Sequence, residues 1–160
     1  MSFSEDQARS FVTPLTGRTT TFLLEDRLAN LRFAQVLVPL LNQVGSACAV
    51  FDLEALYSSN SDVIFRLLDS PIARDSAILV PEPGAPLEEE LPKLFDAPQN
   101  VLIIDSLNSL YHLISGEDGS SRSRKLAFAM ASLSFFAKTN GRAVIISAYR
   151  REGPSWRGAS

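Results

Sequence analysis

The feature that most constrains the fold is a run of four apolar residues ending in an acid, Val101 to Asp105 (VLIID), followed by Ser106. A long amphipathic segment comes next, and then a second apolar run, AVII at 143–146. Short continuous apolar runs separated by helical periodicity are typical of strands that helices bury on both faces. This order predicts that Asp105 stands at the carboxyl end of a parallel strand, where α/β proteins place their sites.

The same alternation of strands and helices runs through the rest of the chain. We predict strands at 19–24, 47–51, 77–80, 101–105 and 143–148. We predict helices at 4–11, 27–44, 61–68, 87–95 and 124–139, with a polar loop at 116–123. The fold class that follows is α/β, with a mostly parallel five-stranded sheet flanked by helices on both faces.

Length and composition fit a single domain. The chain has 160 residues, of which 46% are hydrophobic, enough for one core. We expect a short N-terminal leader over 1–17, the α/β domain over 18–150 and a flexible C-terminal tail over 151–160. The net charge of −3 excludes a global basic field that would attract nucleic acid, so any such binding needs a local patch.

Cysteine, histidine and hydropathy exclude several classes of protein. The single cysteine, Cys48, cannot form an intrachain disulfide, and its apolar surroundings predict a small core residue. The sole histidine, His112, cannot build a metal site alone, and we expect no metal and no cofactor. No apolar stretch reaches the roughly 18 residues of a membrane span. We therefore expect a cytoplasmic protein, or a nuclear one in a eukaryote, without a membrane partner.

Two sequence blocks carry a resemblance to a known family. The first runs from IDSL at 104–107 through SLY at 109–111, a Gly/Ser-rich stretch and a long helix to TNG at 139–141 and the strand VIIS at 144–147. The second is AVFDLE at 49–54. Together they resemble the RecA/RadA recombinase superfamily, including the KaiC-like ATPases and the recombinase paralogues, over residues 19–150. The resemblance implies a RecA-like core in which Asp105 and Ser106 belong to a former Mg²⁺ site and Glu54 lies near the water-activating glutamate.

The chain departs from this family at the phosphate loop. The family has G-x-x-x-x-G-K-[ST] between the first strand and the first helix, where backbone amides surround the phosphates. Residues 24–32 read LEDRLANLR, without glycine or lysine, and Glu25 and Asp26 put negative charge at the helix N terminus. We therefore predict no catalytic residues and no enzyme, with Asp105, Ser106 and Glu54 as remnants of a nucleotide site.

The two acids of this remnant have separate expected roles. For Asp105 we expect a structural role, in which the carboxylate accepts hydrogen bonds from neighbouring backbone amides. For Glu54 we favour a solvated surface acid over a functional group.

Two basic clusters are candidates for contact with nucleic acid, because arginines bind phosphates and aromatic rings stack on bases. The first follows the stretch that corresponds to the family's first DNA-binding loop and contains Arg122, Arg124 and Lys125. The second follows the fifth strand, where the resemblance implies a second DNA loop, and contains Arg150, Arg151, Trp156 and Arg157. The alternative is an ordinary charged rim followed by a disordered tail.

An aromatic stripe on the longest helix is a candidate partner interface. Phe128, Phe135 and Phe136 extend sideways from the apolar face of that helix. A stripe wider than one core face needs to be covered. The alternative is a helix buried between the sheet and a neighbouring helix.

The missing phosphate loop and the retained core together predict a non-catalytic RecA-like paralogue. The resemblance implies an accessory subunit in homologous recombination or DNA repair that pairs with a RecA/RadA-type ATPase or another RecA-like subunit, as hetero-oligomer or homodimer. Single-stranded DNA is a candidate ligand. Two alternatives stay open: a scaffold subunit of a RecA-like ring in tRNA modification or signalling, and a nucleotide-binding ATPase with an unconventional phosphate loop.

Overall fold

The computed structural model describes residues 3–65, 70–114 and 118–150, and these residues form an α/β fold. Its five strands are β1 (Thr19–Leu24), β2 (Cys48–Asp52), β3 (Ala77–Leu79), β4 (Val101–Asp105) and β5 (Ala143–Tyr149). They form one sheet in the order β1-β5-β4-β2-β3, and every neighbouring pair is parallel. The predicted α/β fold and five-stranded parallel sheet are confirmed.

Helices connect the strands. The described ones are α1 (Glu5–Val12), α2 (Arg27–Gln43), α3 (Leu56–Ser59), α4 (Ser61–Ile64), α5 (Pro71–Arg74), α6 (Leu87–Phe95), α7 (Leu107–Leu113) and α8 (Gly119–Asn140), with a 3₁₀ helix at Thr13–Leu15. Because α8 follows α7 and leads back to β5, its N terminus lies at the carboxyl edge of the sheet. The same reasoning applies to α6, which leads from β3 back to β4.

Side chains of the central strands alternate between two cores, one on each face of the sheet. In β4, Val101 and Ile103 pack into the first core, whereas Leu102 and Ile104 pack into the second. The first core is covered by α1 to α4 and the second by α6, α7 and α8. Because both faces are covered, β2 and β4 are buried along their whole length. The expected core cysteine is confirmed, since Cys48 is buried in the first core; this burial raises the pKa of its thiol to about 11.

The N-terminal segment packs onto the first core. Ser4 and Gln7 form a reciprocal capping box that begins α1. Val12 and Leu15 are buried in the same cluster as the apolar face of α2. The stretch expected as a leader therefore contributes side chains to the core.

One predicted boundary is wrong. The sequence predicts a polar loop over 116–123 and a helix from Arg124, but α8 already begins at Gly119. Asp118 caps the helix, because its carboxylate accepts a hydrogen bond of 2.5 Å from the backbone amide of Ser121. Glycine and serine favour loops, yet here the cap satisfies the first turn, so Arg122 lies on a helix. Residues 115–117 lie outside the described part of the chain.

Candidate functional site

Several polar side chains lie close together at the carboxyl edge of the sheet and are buried. Asp52 at the end of β2 lies opposite Asp105 at the end of β4, and Asp105 lies opposite Ser147 on β5. Asp105 and Ser106 are fully buried, as is Asn30 on α2. The peptide bond between Asp105 and Ser106 is cis. Burial of this many polar groups requires hydrogen-bond partners for each of them.

Asp105 is bound by side chains. The side-chain amide of Asn30 and the hydroxyl of Ser147, at 3.3 Å, both donate to Oδ1 of Asp105. The expectation that backbone amides bind this carboxylate is wrong, because its described partners come from α2 and β5 instead. The second oxygen, Oδ2, is buried and has no partner among the described residues.

The environment of Asp105 favours its protonated form. Burial, and after it the nearby charge of Glu54, raise the pKa of the carboxyl, and the hydrogen bond from Asn30 lowers it; the result is a pKa of about 7. The carbonyl oxygen of Asn30, Oδ1, is also buried without a partner in the described part of the chain. Within this pair of side chains, the two acceptors without a partner among the described residues are thus Oδ2 of Asp105 and Oδ1 of Asn30. A proton on Oδ2 of Asp105 would make that oxygen a hydrogen-bond donor.

Glu54 is held by three hydroxyl groups. Ser106 and Ser109 donate to Oε1 over 2.5 and 2.8 Å, and Tyr149 donates to Oε2 over 2.8 Å. The expectation of a solvated surface acid is therefore wrong, since the side chain is half-buried and hydrogen bonded at both oxygens. Its backbone carbonyl also accepts a hydrogen bond of 2.6 Å from Arg27.

Tyr149 joins the two acids into one network. Its hydroxyl donates to Glu54 and accepts a hydrogen bond of 2.9 Å from the Asn30 amide, which also donates to Asp105. Burial raises the pKa of Tyr149, and the hydrogen bond to Glu54 raises it further, so the phenol stays protonated. We call this set the carboxyl-edge network; its members are Asn30, Glu54, Asp105, Ser106, Ser109, Ser147 and Tyr149.

Asp52 has a separate structural role beside the network. Its two carboxylate oxygens accept hydrogen bonds from the backbone amides of Tyr57, at 3.2 Å, and Ser58, at 2.8 Å. These amides belong to the first turn of α3, which starts after Ala55 in a left-handed conformation. The carboxylate therefore stabilises the turn that carries Glu54 toward the network.

The N terminus of α2 stands where the resembled family has its phosphate loop. Asp26 caps this helix, and its carboxylate accepts a hydrogen bond of 2.8 Å from the amide of Ala29. The guanidinium of Arg27 is directed to the carbonyl of Glu54. A first-turn amide that could face an anion is thus already bound by an acid of the chain itself.

The described part of the chain contains some of the candidates for contact with nucleic acid. Arg122, Arg124 and Lys125 lie in the first two turns of α8, and Lys125 forms an ion pair of 3.2 Å with Glu88 on α6. Arg150 follows β5, and its amide donates to the carbonyl of Leu24. Arg151, Trp156 and Arg157 lie outside the described residues.

The three aromatic candidates on α8 differ in exposure. Phe128 is 75% exposed and Phe135 is 72% exposed. Phe136 is half-buried, stacked on Phe95 with 4.6 Å between ring centroids and lying under the guanidinium of Arg142. Two of the three are therefore available to a partner, while the third is used inside the domain.

Sequence reasoning missed four members of the network, Asn30, Ser109, Ser147 and Tyr149. Asn30 carried a detectable signal, because it stands four residues before Ala34 and seven before Leu37 on the buried stripe of α2. A polar residue on such a stripe needs a buried partner. Ser109, Ser147 and Tyr149 carried no comparable signal, because the face of the helix or strand on which each side chain lies depends on the exact start and end of that element.

No model of a known protein family matches this sequence, and no curated protein sequence matches it significantly. Within residues 3–65, 70–114 and 118–150, no three histidine, cysteine or acidic side chains are grouped so that they could hold a metal ion. Across the same residues, none of the helices combines the length and apolar character needed to cross a membrane.

Proposed function

We propose that this chain is a non-catalytic RecA-like subunit that works by binding protein partners, as an accessory subunit in homologous recombination or DNA repair. The proposed family rests on the resemblance of residues 49–54 and 104–147 to the RecA/RadA superfamily. The parallel α/β sheet is consistent with that core. The geometry of the carboxyl edge supports the loss of catalysis.

The state of Glu54 is the observation that carries the proposal. A glutamate that activates water needs a free carboxylate oxygen within hydrogen-bond reach of that water. Here, one oxygen of Glu54 accepts from two serine hydroxyls and the other from Tyr149. Both oxygens of this carboxylate are therefore already hydrogen bonded to hydroxyls of its own domain instead of being left free for a water.

The first turn of α2 supports the same conclusion. Phosphate binding at a helix N terminus needs free amides and a small or absent side chain. Asp26 adds a negative charge at this position and binds one of the amides itself. The adjacent Glu25 is exposed and adds a second negative charge, so a triphosphate would meet repulsion.

Calorimetry with Mg²⁺-ATP and Mg²⁺-ADP tests this proposal. We expect no saturable heat with the wild-type chain. Saturable binding in the micromolar range would overturn the loss of the nucleotide site and favour an ATPase with an unconventional phosphate loop. Asp26→Ala is the informative companion variant, because it releases the amide of Ala29 and removes one charge.

We further propose a RecA/RadA-type ATPase or another RecA-like subunit as the partner, and the cytoplasm, or the nucleus of a eukaryote, as the compartment. Exposed Phe128 and Phe135 support a protein partner, since large exposed aromatic side chains mark interaction surfaces. Co-purification from a mixture with a RecA-type ATPase tests the partner. Exclusion of this chain from such complexes would contradict it.

A scaffold subunit without DNA contact is the second candidate function. It is favoured by the ion pair between Lys125 and Glu88, because an acid beside the basic cluster weakens its attraction for phosphates. Fluorescence anisotropy with single-stranded DNA at several salt concentrations separates the two. Salt-dependent binding favours the recombination role, and tight partner binding without DNA binding favours the scaffold.

A further inference from the structure

An apolar groove runs along α8 on the side that faces α6. Its first hollow, of about 410 Å³, has a floor of Leu87, Leu91, Ile114 and Ala129 and a wall formed by Phe128. A second hollow of about 410 Å³ lies farther along the helix between Phe95 and Phe135. Phe95 and Ser132 line both hollows, so the hollows are neighbours along α8, and together we call them the α6/α8 groove.

The dimensions of the groove suit a helix. It extends along α8 from Arg124 to Asn140, which corresponds to ~24 Å at 1.5 Å per residue. Phe128 and Phe135 are seven residues apart, two helical turns, and stand out from the same exposed stripe of α8. Ala131 lies between them and leaves room for close approach of another backbone.

The charge of α8 indicates the charge of the partner segment that would bind in the groove. Its sequence contains the cations Arg122, Arg124, Lys125 and Lys138 and no acidic residue. On its exposed stripe, Arg124 lies before the two phenylalanines and Lys138 after them. Glu88, the acid that lines the groove, forms an ion pair with Lys125. The apolar groove is thus bounded along α8 by positive charge at both ends.

From this arrangement we propose that the α6/α8 groove is the docking site for an acidic amphipathic helix of a partner protein. The partner supplies apolar side chains about one heptad apart for the two hollows, as in helix-in-groove recognition. Acidic side chains on its flanks meet Arg124 and Lys138. The proposal rests on the proposed function only in that the chain works through protein partners.

A second copy of this chain is the less favourable occupant. Symmetric pairing through the exposed stripe of α8 would bring together two stripes that each carry the cations Arg124 and Lys138 and no acid. Like charges facing each other across an interface reduce affinity and suppress that pairing. An acidic segment meets the same charges with attraction.

Fluorescence anisotropy with two synthetic peptides tests the proposal. Both peptides have about 16 residues, which matches the length of the groove. Leucines at peptide positions 1, 4, 8 and 11 form their apolar face. One carries glutamates on its flanks and the other carries lysines at the same positions. We expect the glutamate peptide to bind at least tenfold more tightly to the wild-type chain, with weaker binding as salt rises.

Three variants locate the binding surface. Phe128→Ser and Phe135→Ser should each weaken binding of the glutamate peptide by roughly tenfold, the size expected for an aromatic anchor. Leu28→Ser is the matched control, because Leu28 is 57% exposed on α2, over the opposite face of the sheet. Its affinity should be unchanged. All three side chains are exposed, so thermal melts followed by circular dichroism should coincide with the wild type.

Several results would overturn the proposal. These are equal affinity for both peptides, no binding of the glutamate peptide, or equal weakening by Leu28→Ser. A wild-type dimer in sedimentation that Phe128→Ser dissociates would also overturn it, because a second copy would then occupy the groove. Saturable ATP binding in calorimetry would overturn the proposed loss of catalysis without affecting these peptide measurements, so the two failures are distinguishable.

Discussion

The side-chain amide of Asn30 donates a hydrogen bond to the carboxylate of Asp105, although the two residues are 75 positions apart in the sequence. The hydrogen bond joins the first turn of α2 to the end of β4. The same amide donates to Tyr149, so Asn30 connects Asp105 with Glu54 through the phenol. The carboxyl edge is thus bound together by side chains from separate elements of the fold.

Asp105→Asn should make stability less dependent on pH. Folding raises the pKa of this carboxyl, so the folded chain holds the proton more tightly than the unfolded chain does. The contribution of the bound proton to the free energy of unfolding is complete below the unfolded pKa near 4 and is lost as the pH rises through the folded pKa of about 7. Between about pH 5 and pH 8 the wild type should lose roughly 2–3 kcal/mol from this group, and Asp105→Asn should not. Urea denaturation at several pH values measures the difference. Parallel pH profiles for the two proteins would contradict the raised pKa.

The pKa of Asp105 should respond in opposite directions to changes in its two neighbours. Asn30→Ala removes a hydrogen bond that lowers this pKa, so the pKa should rise above the wild-type value. Glu54→Gln removes a charge that raises it, so the pKa should fall. Carbon-13 NMR titration of the Asp105 carboxyl in each variant measures both shifts. A shift of the same sign in both variants would refute this electrostatic account.

Tyr149→Phe should destabilise the domain. The substitution removes the donor to Glu54 and the acceptor for Asn30, and a half-buried pair of this kind is worth about 1–3 kcal/mol. Tyr111→Phe is the matched control, since its hydroxyl has no hydrogen bond among the described residues and its removal should be neutral. Chemical denaturation with both variants gives the comparison. Equal effects would remove Tyr149 from the network.

Truncation along α8 should separate core positions from groove positions. Leu133 is fully buried in the second core, so Leu133→Ala should cost about 2–5 kcal/mol through reduced burial and the cavity left behind. Phe128→Ala and Phe135→Ala should each change stability by no more than about 0.5 kcal/mol, because both rings are already exposed. Thermal and urea unfolding measure all three. A large loss of stability at Phe128 or Phe135 would show that these rings support the fold.

Substitution of Arg150 and Arg151 tests the hypothesis that these arginines bind single-stranded DNA. If single-stranded DNA binds, replacing both with alanine should weaken binding and lower the slope of log affinity against log salt by about one for each phosphate that is no longer bound. Arg18→Ala is the control, because Arg18 is exposed and stands directly before β1, at the opposite edge of the parallel sheet. An unchanged slope in the double variant would remove these arginines from the binding site.

Much of the fold could be predicted from local patterns. The apolar runs predicted all five strands to within one residue at each end, and the acid at the end of β4 was expected at the carboxyl edge. The helix start at Gly119 was mispredicted, because glycine and serine favour loops unless a cap such as Asp118 satisfies the first turn. The helix α7 was also not predicted, since seven residues with a serine cap give little periodicity.

The sequence alone determined the parallel α/β architecture and the absence of a glycine- and lysine-containing phosphate loop, because apolar periodicity and loop chemistry are local properties. Only the tertiary structure decided that Glu54 is bound by Ser106, Ser109 and Tyr149, and that Asp105 is bound by Asn30. These hydrogen bonds join residues distant in the chain, and their geometry depends on strand register and helix rotation. A one-residue shift of strand register, or a rotation of α2, would separate these side chains from one another.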